Sequence, residues 1–397
     1  MNRTKVVIAI SIALSVLATT LILPILAPLI RELHLSVSQG GLMLSIGSIV
    51  MVIAAPFWGA VSDRFGRKAV IVAGFLGILT GYTLYTLVVV VGLSGGVAVT
   101  AVFVALTATR AFVGAFLSAV PAGAQALMAD ITDARDRSGG MAVIGAATGL
   151  GLIVGPAVSG FLVTGGITRP LFAAIVLCAL GAVVSLFFLE ATPVRKPSRI
   201  QKTSLFSASL RPWLVAGILL WVAIATVQIS AGFYFQDRLG LRSNEASRML
   251  SLALTLVGTA MFTVQFLQLR VLRFAPRVLV IAGAGLWIAG LLLLLSTADA
   301  ASYYAAYALM GLASGFLLPG VMAGASLAVD HDSQGVAAGL VASSQGIGFI
   351  IGPAVSTALY EWDKALPFWL LAGLMALLAV KFAIIPLGVP RLGDAES

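Results

Sequence analysis

The stretch GLGLIVGPAVSGFL, at positions 149 to 162, decides the fold because a near copy of it, GIGFIIGPAVSTAL, occurs at 346 to 359. The two copies are identical at nine of fourteen positions and begin 197 residues apart in a chain of 397 residues. Both lie in apolar segments long enough to cross a membrane. A repeat at half the chain length in such segments is typical of transporters built from two homologous membrane-spanning halves.

Composition places the chain in a lipid bilayer. Hydrophobic residues make up 60% and charged residues only 10% of the chain, which is too little polar side chain to cover a soluble protein. The formal net charge is +9, but the basic residues are scattered between apolar runs. They form no basic helix or basic and aromatic sheet that would hold a phosphate backbone, so we expect no nucleic-acid partner.

Twelve apolar runs have the length of about 20 residues that a helix needs to cross the hydrocarbon core. Their predicted bounds are 5–30, 40–62, 69–93, 97–129, 139–165, 168–189, 213–236, 248–269, 278–297, 301–329, 335–360 and 365–389. The sequence therefore predicts an all-α integral membrane protein with twelve transmembrane helices in two pseudo-symmetric six-helix bundles. We assign residues 1–190 to the N-terminal bundle, 191–212 to a cytoplasmic linker and 213–397 to the C-terminal bundle.

The distribution of Lys and Arg predicts the orientation. If the N-terminus is cytoplasmic, sixteen of the 24 basic residues fall on that side, six on the other, and Arg110 and Lys381 inside spans. Because basic loops are retained in the cytoplasm, we expect both termini on the cytoplasmic side of a bacterial inner membrane. The single cysteine, Cys178, excludes an internal disulfide and a cysteine-based metal site, and we expect neither metal nor cofactor.

A charged loop between the second and third predicted spans carries the first specific motif, GAVSDRFGRK at positions 59 to 68. Its charged residues, Asp63, Arg64, Arg67 and Lys68, surround Gly66 and must lie at the level of the lipid headgroups. The pattern resembles the loop between the second and third helices of the major facilitator superfamily. A simple positive-inside loop is the alternative, but it would not require Asp63.

The resemblance covers nearly the whole chain and implies a switch role for this loop. It implies that Asp63 and Arg67 belong to a charge cluster that holds one state closed on the cytoplasmic side. Asp130, at the end of the fourth span, is then the expected partner of Arg67. The corresponding loop of the second half has Leu272 in place of Asp63, so we expect the N-terminal half to dominate the switch.

The repeated stretch carries the second motif. Gly151, Gly155, Pro156 and Gly160 resemble the glycine and proline motif that marks the antiporter branches of this superfamily, which are mostly drug exporters. Small residues four apart let membrane helices approach closely, and proline permits a kink. For this fifth span we expect a moving helix pair at the interface between the halves, whereas for its copy in the eleventh span we favour ordinary tight packing.

Arg110 is the third feature, about thirteen residues into the fourth span and thus near its middle at 1.5 Å per residue. A cation at that depth is costly and normally faces a polar cavity or a partner. Arg110 and Gly114 resemble the fourth-helix motif of the superfamily, whose arginine is associated with proton coupling. Pairing with a buried carbonyl is the alternative, and Gln125, three to four turns further along, can share the same face.

None of the fifteen acidic residues lies clearly in the middle of a predicted span. Exporters of cationic drugs in this superfamily usually carry a carboxylate in the cavity, so Arg110 without such an acid favours anionic or neutral substrates. Two acids remain as candidate proton carriers, Asp63 and Asp237. A simple loop carboxylate is the favoured alternative for Asp237, and protonation of the substrate itself is a further option.

These features predict a monomeric secondary active transporter that exports a small molecule by alternating access, resembling the 12-helix drug/proton antiporter branch, with protons as coupling ion. The alternative is an exporter of an endogenous anionic or neutral metabolite, such as a carboxylate siderophore. A membrane sensor without transport is disfavoured, since only seven residues follow Pro390. No nucleophile, base or metal cluster can be assembled from the sequence, so we do not expect an enzyme.

Overall fold

A computed structural model describes residues 3–132, 136–190, 209–270, 274–296, 298–329 and 334–384. Within these ranges, twelve helical segments are long and apolar enough to cross a membrane. The predicted all-α fold with twelve spans is therefore confirmed, and the bounds differ from the predicted ones by a few residues. Positions 191–208 of the predicted linker and 385–389 of the last predicted span lie outside the described residues.

The helices follow each other as antiparallel spans. Helices α1 (Arg3–Thr20) and α2 (Leu26–Glu32), joined by a 3-10 turn at Leu23–Ile25, form the first span. The other spans of the first half are α3 (Val37–Phe65), α4 (Arg67–Leu93), α5 (Val99–Leu117) with α6 (Ala119–Asp130), α7 (Arg137–Leu162) and α8 (Arg169–Phe188). The second half consists of α9 (Arg211–Leu239), α10 (Ser243–Arg270), α11 (Pro276–Ser296), α12 (Ala300–Leu327), α13 (Gln334–Trp362) and α14 (Leu366–Ile384).

Proline accounts for the breaks within the first and fourth spans. Proline has no backbone N–H and cannot complete the hydrogen bond of a regular α-helix. The first span changes from α-helix to a 3-10 turn at Pro24. The fourth span is interrupted at Ser118, three residues before Pro121. The fourth span is therefore two helices, α5 and α6.

The repeated stretch packs the same way in both halves. In the first half α7 lies against α1, where a Cβ on Gly155 would overlap Thr20, and Thr20 donates a hydrogen bond of 2.9 Å to the carbonyl of Gly151. In the second half α13 lies against α9, where a Cβ on Gly352 would come within 2.7 Å of the Cβ of Ala225. Gly151 and Gly155 of the fifth span therefore pack within their own bundle, although the span also lies against α10 of the second half, as predicted.

The halves meet mainly through two helix pairs, α3 with α13 and α7 with α10, and α2 also contacts α9 and α10. In the first pair a Cβ on Gly41 would overlap Thr357, and Ser45 donates a hydrogen bond of 2.7 Å to the carbonyl of Ile350. In the second pair a Cβ on Gly160 would come within 2.8 Å of the Cβ of Ser251. Of the predicted glycine motif, Gly160 is thus the member that lies between the halves.

We call the side of the molecule that carries the α3 to α4 turn the Gly66 end and the opposite side the Asp237 end. The close approach of α3 to α13 extends from the Asp237 end as far as Val52 on α3. A Cβ on Gly346 of α13 would overlap the side chain of Val52. Beyond it on α3, Ile53 and Phe57 are 71% and 60% exposed. A Cβ on Gly145 of α7 would meet no atom within 4 Å. The two halves therefore pack together at the Asp237 end and diverge toward the Gly66 end.

The packing of α7 on α1 gives a stability prediction. Gly155→Val should destabilise the first half, because its side chain would overlap Thr20, and overpacking of this kind costs about 1–3 kcal/mol. We expect a lower thermal unfolding temperature of the purified protein. Gly145→Val, on the same helix where the added atoms meet open space, is the matched control. Equal unfolding temperatures for the two variants would contradict the packing described.

Candidate functional site

A sharp turn at Gly66 builds the first charged cluster. Helix α3 ends at Phe65, and Gly66 has φ 91° and ψ 155°, a conformation that residues with a Cβ rarely adopt. The N–H of Gly66 donates to the carbonyl of Ser62 at 3.1 Å. Because α4 starts at the next residue, Arg67 is placed beside the last turn of α3.

Arg67 holds two carboxylates of the first half together. Its Nε donates to Oδ2 of Asp130 at 2.9 Å, and its Nη1 pairs with Asp63 and donates to Ser62 Oγ at 3.1 Å. The predicted pairing of Arg67 with Asp130 is therefore present. The side chain of Arg67 is 12% exposed and that of Asp63 42% exposed. The cluster ties α3, α4 and α6 together at the Gly66 end, while its role as a switch stays a prediction.

The other basic residues of this loop have different surroundings. Arg64 is exposed, and its guanidinium lies 5.3 Å from the centre of the Phe65 ring. Lys68 is half-buried on the first turn of α4. The structure therefore unites Asp63, Arg67 and Asp130, whereas Arg64 stacks on its neighbour at the surface.

Arg110 lies on α5 where this helix crosses α3. Its Cγ is 3.1 Å from the place that a Cβ on Gly47 would take. The equivalent position of the second half is Gly311, which packs directly against the backbone of Val257 on α10. In the second half the glycine of this crossing, Gly311, lies on the helix equivalent to α5. In the first half the glycine is Gly47 on α3, and because it has no side chain, Arg110 of α5 fits over it.

Arg110 lies near a face of α4 that carries buried polar groups. Its Nη1 is buried and has no hydrogen-bond partner, so the predicted pairing with a buried carbonyl is not made by this nitrogen. The hydroxyls of Tyr82 and Thr86 on α4 are also buried without a partner, and these residues are only 1% and 3% exposed. The Tyr82 hydroxyl lies within reach of the side chains of Arg110 and Thr19, but not in the geometry of a hydrogen bond. The sequence analysis missed Tyr82 and Thr86, whose spacing of four places both on one helix face.

Gln125 lies on α6 and is exposed. Arg110 lies on α5, and the break at Ser118 separates the two helices. The two residues do not share one continuous helix, so the periodicity behind the predicted common face does not apply.

Pro156 is buried beside Gly155 within α7, which continues past it to Leu162.

Asp237 belongs to an ion cluster that joins the halves. It lies in the last turn of α9 and is not a loop residue, so the favoured sequence interpretation was wrong. Arg31, from α2 of the first half, contacts Oδ1 at 2.7 Å. Lys364 lies 3.3 Å from Oδ2, which also accepts a hydrogen bond of 2.7 Å from Tyr360. The Asp237 side chain is only 13% exposed, because its partners cover it.

A second contact lies at the same end. The backbone N–H and the hydroxyl of Ser38 donate to the carboxylate of Glu361 at 2.9 and 2.6 Å. We call the contacts made by Arg31 with Asp237 and by Ser38 with Glu361 the outer latch. Sequence reasoning missed it because its partners are far apart in the chain. The available signal was that Arg31 and Asp237 both lie near the ends of the first spans of their halves.

Within the part of the chain that the structure describes, no group of three His, Cys, Asp or Glu residues could hold a metal ion. The arrangement instead combines charged clusters at both ends of the spans with a half-buried cation between them. Contacts between the halves that close one end only are suited to a protein that opens to each side of a membrane in turn.

Comparison with curated proteins finds relatives of the same length. The tetracycline resistance protein, class C, of Escherichia coli is 28% identical, over 90% of this chain and 90% of that protein. Multidrug resistance protein 1 of Bacillus subtilis is 25% identical, over 93% of this chain and 92% of that protein. The quinolone resistance protein NorA of Staphylococcus aureus is 24% identical, over 94% of both chains.

Solved structures share the fold. The nucleoside transporter NupG superposes with a TM-score of 0.77 at 16% identity, over 96% of this chain and 99% of that one. The human organic anion transporter MFSD10 superposes with a TM-score of 0.69 at 21% identity, over 96% of this chain and 99% of that one. The family model of the Major Facilitator Superfamily matches residues 8–273 and 249–395. Twelve spans in two repeated halves, closed at one end, thus identify the chain as a multi-pass membrane transporter of the Major Facilitator Superfamily.

Proposed function

We propose that this transporter exports a small molecule from the cytoplasm in exchange for protons, in the manner of a drug efflux antiporter. The observation that carries the proposal is the one-sided closure of the two halves by the outer latch. The names of the similar proteins, which include tetracycline, multidrug and quinolone resistance proteins, support an efflux role. The glycine and proline motif of α7 agrees with the antiporter branch.

We infer that the Gly66 end faces the cytoplasm of a bacterial inner membrane. Sixteen of the 24 basic residues belong to this side of the topology, including Arg64, Arg67 and Lys68. On this assignment the present conformation is open toward the cytoplasm, where an exporter takes up its cargo. Export then requires the outer latch to separate and the halves to meet at the Gly66 end.

The cluster of Asp63, Arg67 and Asp130 is the proposed cytoplasmic counterpart of the outer latch. It is already assembled within the first half, so closing this end requires only that the second half approach it. Asp63 keeps 42% of its side chain exposed and is therefore available for a further contact. We assign to Asp63 the control of closure on this side.

We assign Asp237 to the latch and not to proton carriage. An antiporter must close its outer end after a proton has bound, so that the proton can be delivered to the cytoplasm. Protonation of Asp237 would remove its attraction to Arg31 and so weaken that closure. Asp63 remains as the candidate proton carrier, because in an exchange the proton must move inward on a group of the protein while the cargo moves outward.

A second candidate function is export of an anionic or neutral endogenous metabolite, such as a carboxylate siderophore. Arg110 favours it, because this cation lies among buried hydroxyls in the middle of the first half. The described acidic residues of the spans, such as Asp63, Asp130 and Asp237, lie at the helix ends. A cavity of this polarity attracts anions more than cations.

Proton exchange can be tested in inside-out membrane vesicles with an acidic interior. We expect tetracycline or a quinolone to enter these vesicles and to discharge the pH gradient, followed with a pH-sensitive dye. Vesicles without the transporter are the control. Drug uptake that persists after an uncoupler collapses the gradient would contradict proton exchange, whereas discharge by anionic metabolites alone would favour the second candidate.

Closure at the Asp237 end can be tested by cross-linking α3 to α13. A Cβ on Gly41 would lie 2.9 Å from that of Thr357, so a small shift reaches the range of about 3.5–4.5 Å in a disulfide. In a Cys178→Ala background, we expect the Gly41→Cys, Thr357→Cys double variant to lose transport on oxidation and regain it on reduction. Unchanged transport by the fully cross-linked protein would refute alternating access at this interface.

The same cysteine pair measures the outer latch. Adding Asp237→Asn should slow disulfide formation by roughly tenfold, because loss of the ion pair with Arg31 costs about 1.4 kcal/mol or more of preference for the closed end. Asp363→Asn, an exposed carboxylate near the same cluster, is the matched control. Equal cross-linking rates in the two variants would remove Asp237 from the latch.

The proposed cytoplasmic switch has its own test. Asp63→Asn should lower drug transport by at least about tenfold while leaving the amount of protein in the membrane unchanged, because it removes a charge from the Arg67 cluster. Asp136→Asn, an exposed carboxylate at the same end without a side-chain cap hydrogen bond, should transport normally. Normal transport by Asp63→Asn would contradict the assignment.

A further inference from the structure

We propose that Arg110, Tyr82 and Thr86 form a binding site for a carboxylate group in the interior of the first half. The proposal rests on the function proposed above in one respect only, that the carboxylate is part of the exported molecule. The site consists of one cation and two hydroxyls, contributed by the neighbouring helices α4 and α5.

The hydrogen-bonding capacity of these groups points to an anion. A guanidinium offers five N–H donors and no acceptor, and each hydroxyl can also donate. Nη1 of Arg110 and the hydroxyls of Tyr82 and Thr86 are all buried and without a partner. A buried polar group without a partner costs about 1–3 kcal/mol, more when it is charged, so three such groups together call for a ligand that accepts.

The described residues make no ion pair with Arg110. Among the described residues, the ion pairs of Asp63, Asp130 and Asp237 are made with Arg67, Arg31 and Lys364 at the span ends. An unpaired cation deep in a membrane protein is unfavourable unless a counter-ion reaches it. A ligand carboxylate supplies both the opposite charge and the acceptor oxygens, and Arg binds carboxylates with two parallel hydrogen bonds.

The local packing makes space for the Arg110 side chain in one half only. Gly47 on α3 has no side chain, and Arg110 passes over it. In the second half the position equivalent to Arg110 is Gly311, whose helix packs directly against Val257, so neither the cation nor the space is present there. The position at which the two halves differ, Arg110 against Gly311, is therefore also the position near which the first half has buried polar groups without partners.

The site borders the contact between the halves. Ser45, two residues from Gly47 on α3, donates its hydrogen bond to Ile350 of the second half. Arg110 as a whole is only half-buried, although its Nη1 is covered. Part of Arg110 is therefore accessible, and the proposed ligand approaches from that part, whereas the two hydroxyls are buried.

Three ligands of nearly equal shape and different charge provide the test: benzoate, benzamide and benzamidinium. Their dissociation constants for the purified transporter would be measured from the rise in thermal unfolding temperature, with the ionic strength held constant by sodium chloride. We expect benzoate to bind at least about tenfold more tightly than benzamide, the ratio that a charge-assisted hydrogen bond provides, and benzamidinium most weakly. Equal binding of the three, as expected for a site that holds only water, would overturn the proposal.

Conservative variants locate the binding. Tyr82→Phe and Thr86→Val remove the hydroxyls with little change of shape, and each should weaken benzoate several-fold while leaving benzamide unchanged. Arg110→Gln should abolish the preference for benzoate. Tyr307→Phe is the matched control, because it removes a buried hydroxyl of the second half that donates to Val227 at 3.3 Å. If Arg110→Gln does not fold, unchanged benzoate binding in both hydroxyl variants still refutes the site.

The binding measurement is independent of transport. Benzoate selectivity that depends on Arg110 in a protein that moves no drug and no protons would leave this site standing and refute the efflux proposal. Proton-coupled drug efflux by a protein without benzoate selectivity would refute the site alone.

Discussion

A peptide backbone inside hydrocarbon must satisfy its own hydrogen bonds, and the rest of this structure depends on that constraint. It forces each apolar segment into a helix. Helices in lipid then associate through close packing, since lipid and apolar side chains attract each other equally well. This is why glycines such as Gly41, Gly155 and Gly352 lie at helix contacts where an added Cβ would collide. The fold is decided by where helices can approach closely.

Duplication gives the two halves the same set of such contacts, and function resides in the departures from it. Gly155 and Gly352 pack alike, each against the first helix of its own half. Gly160 and its counterpart Thr357 both lie between the halves. Gly160 packs against Ser251, whereas the larger Thr357 packs against a glycine, Gly41. Arg110, with Gly311 as its counterpart, places a cation in one half only. The scaffold is symmetric, whereas its charge is not.

The sequence predicted the parts of the site whose residues are close in the chain or belong to a motif. Asp63 and Arg67 are four residues apart, and the resemblance to a known loop supplied Asp130 as the partner. Asp237 was misjudged as a loop carboxylate, because its partner Arg31 belongs to the other half and no local pattern links them. The fifth span was predicted to lie between the halves and does so, but of its glycine motif only Gly160 faces the other half.

The sequence by itself determined the twelve spans, the two-fold repeat, the charged loop at Gly66 and the absence of an acid in the middle of the spans. These follow from local composition and periodicity, which hydrocarbon constrains directly. Only the tertiary structure decided that the halves are joined by Arg31 and Asp237, and that Arg110 lies beside Tyr82, one helical turn from the buried hydroxyl of Thr86. Such contacts depend on how helices are rotated and tilted against each other, and side-chain packing across the whole bundle sets those angles.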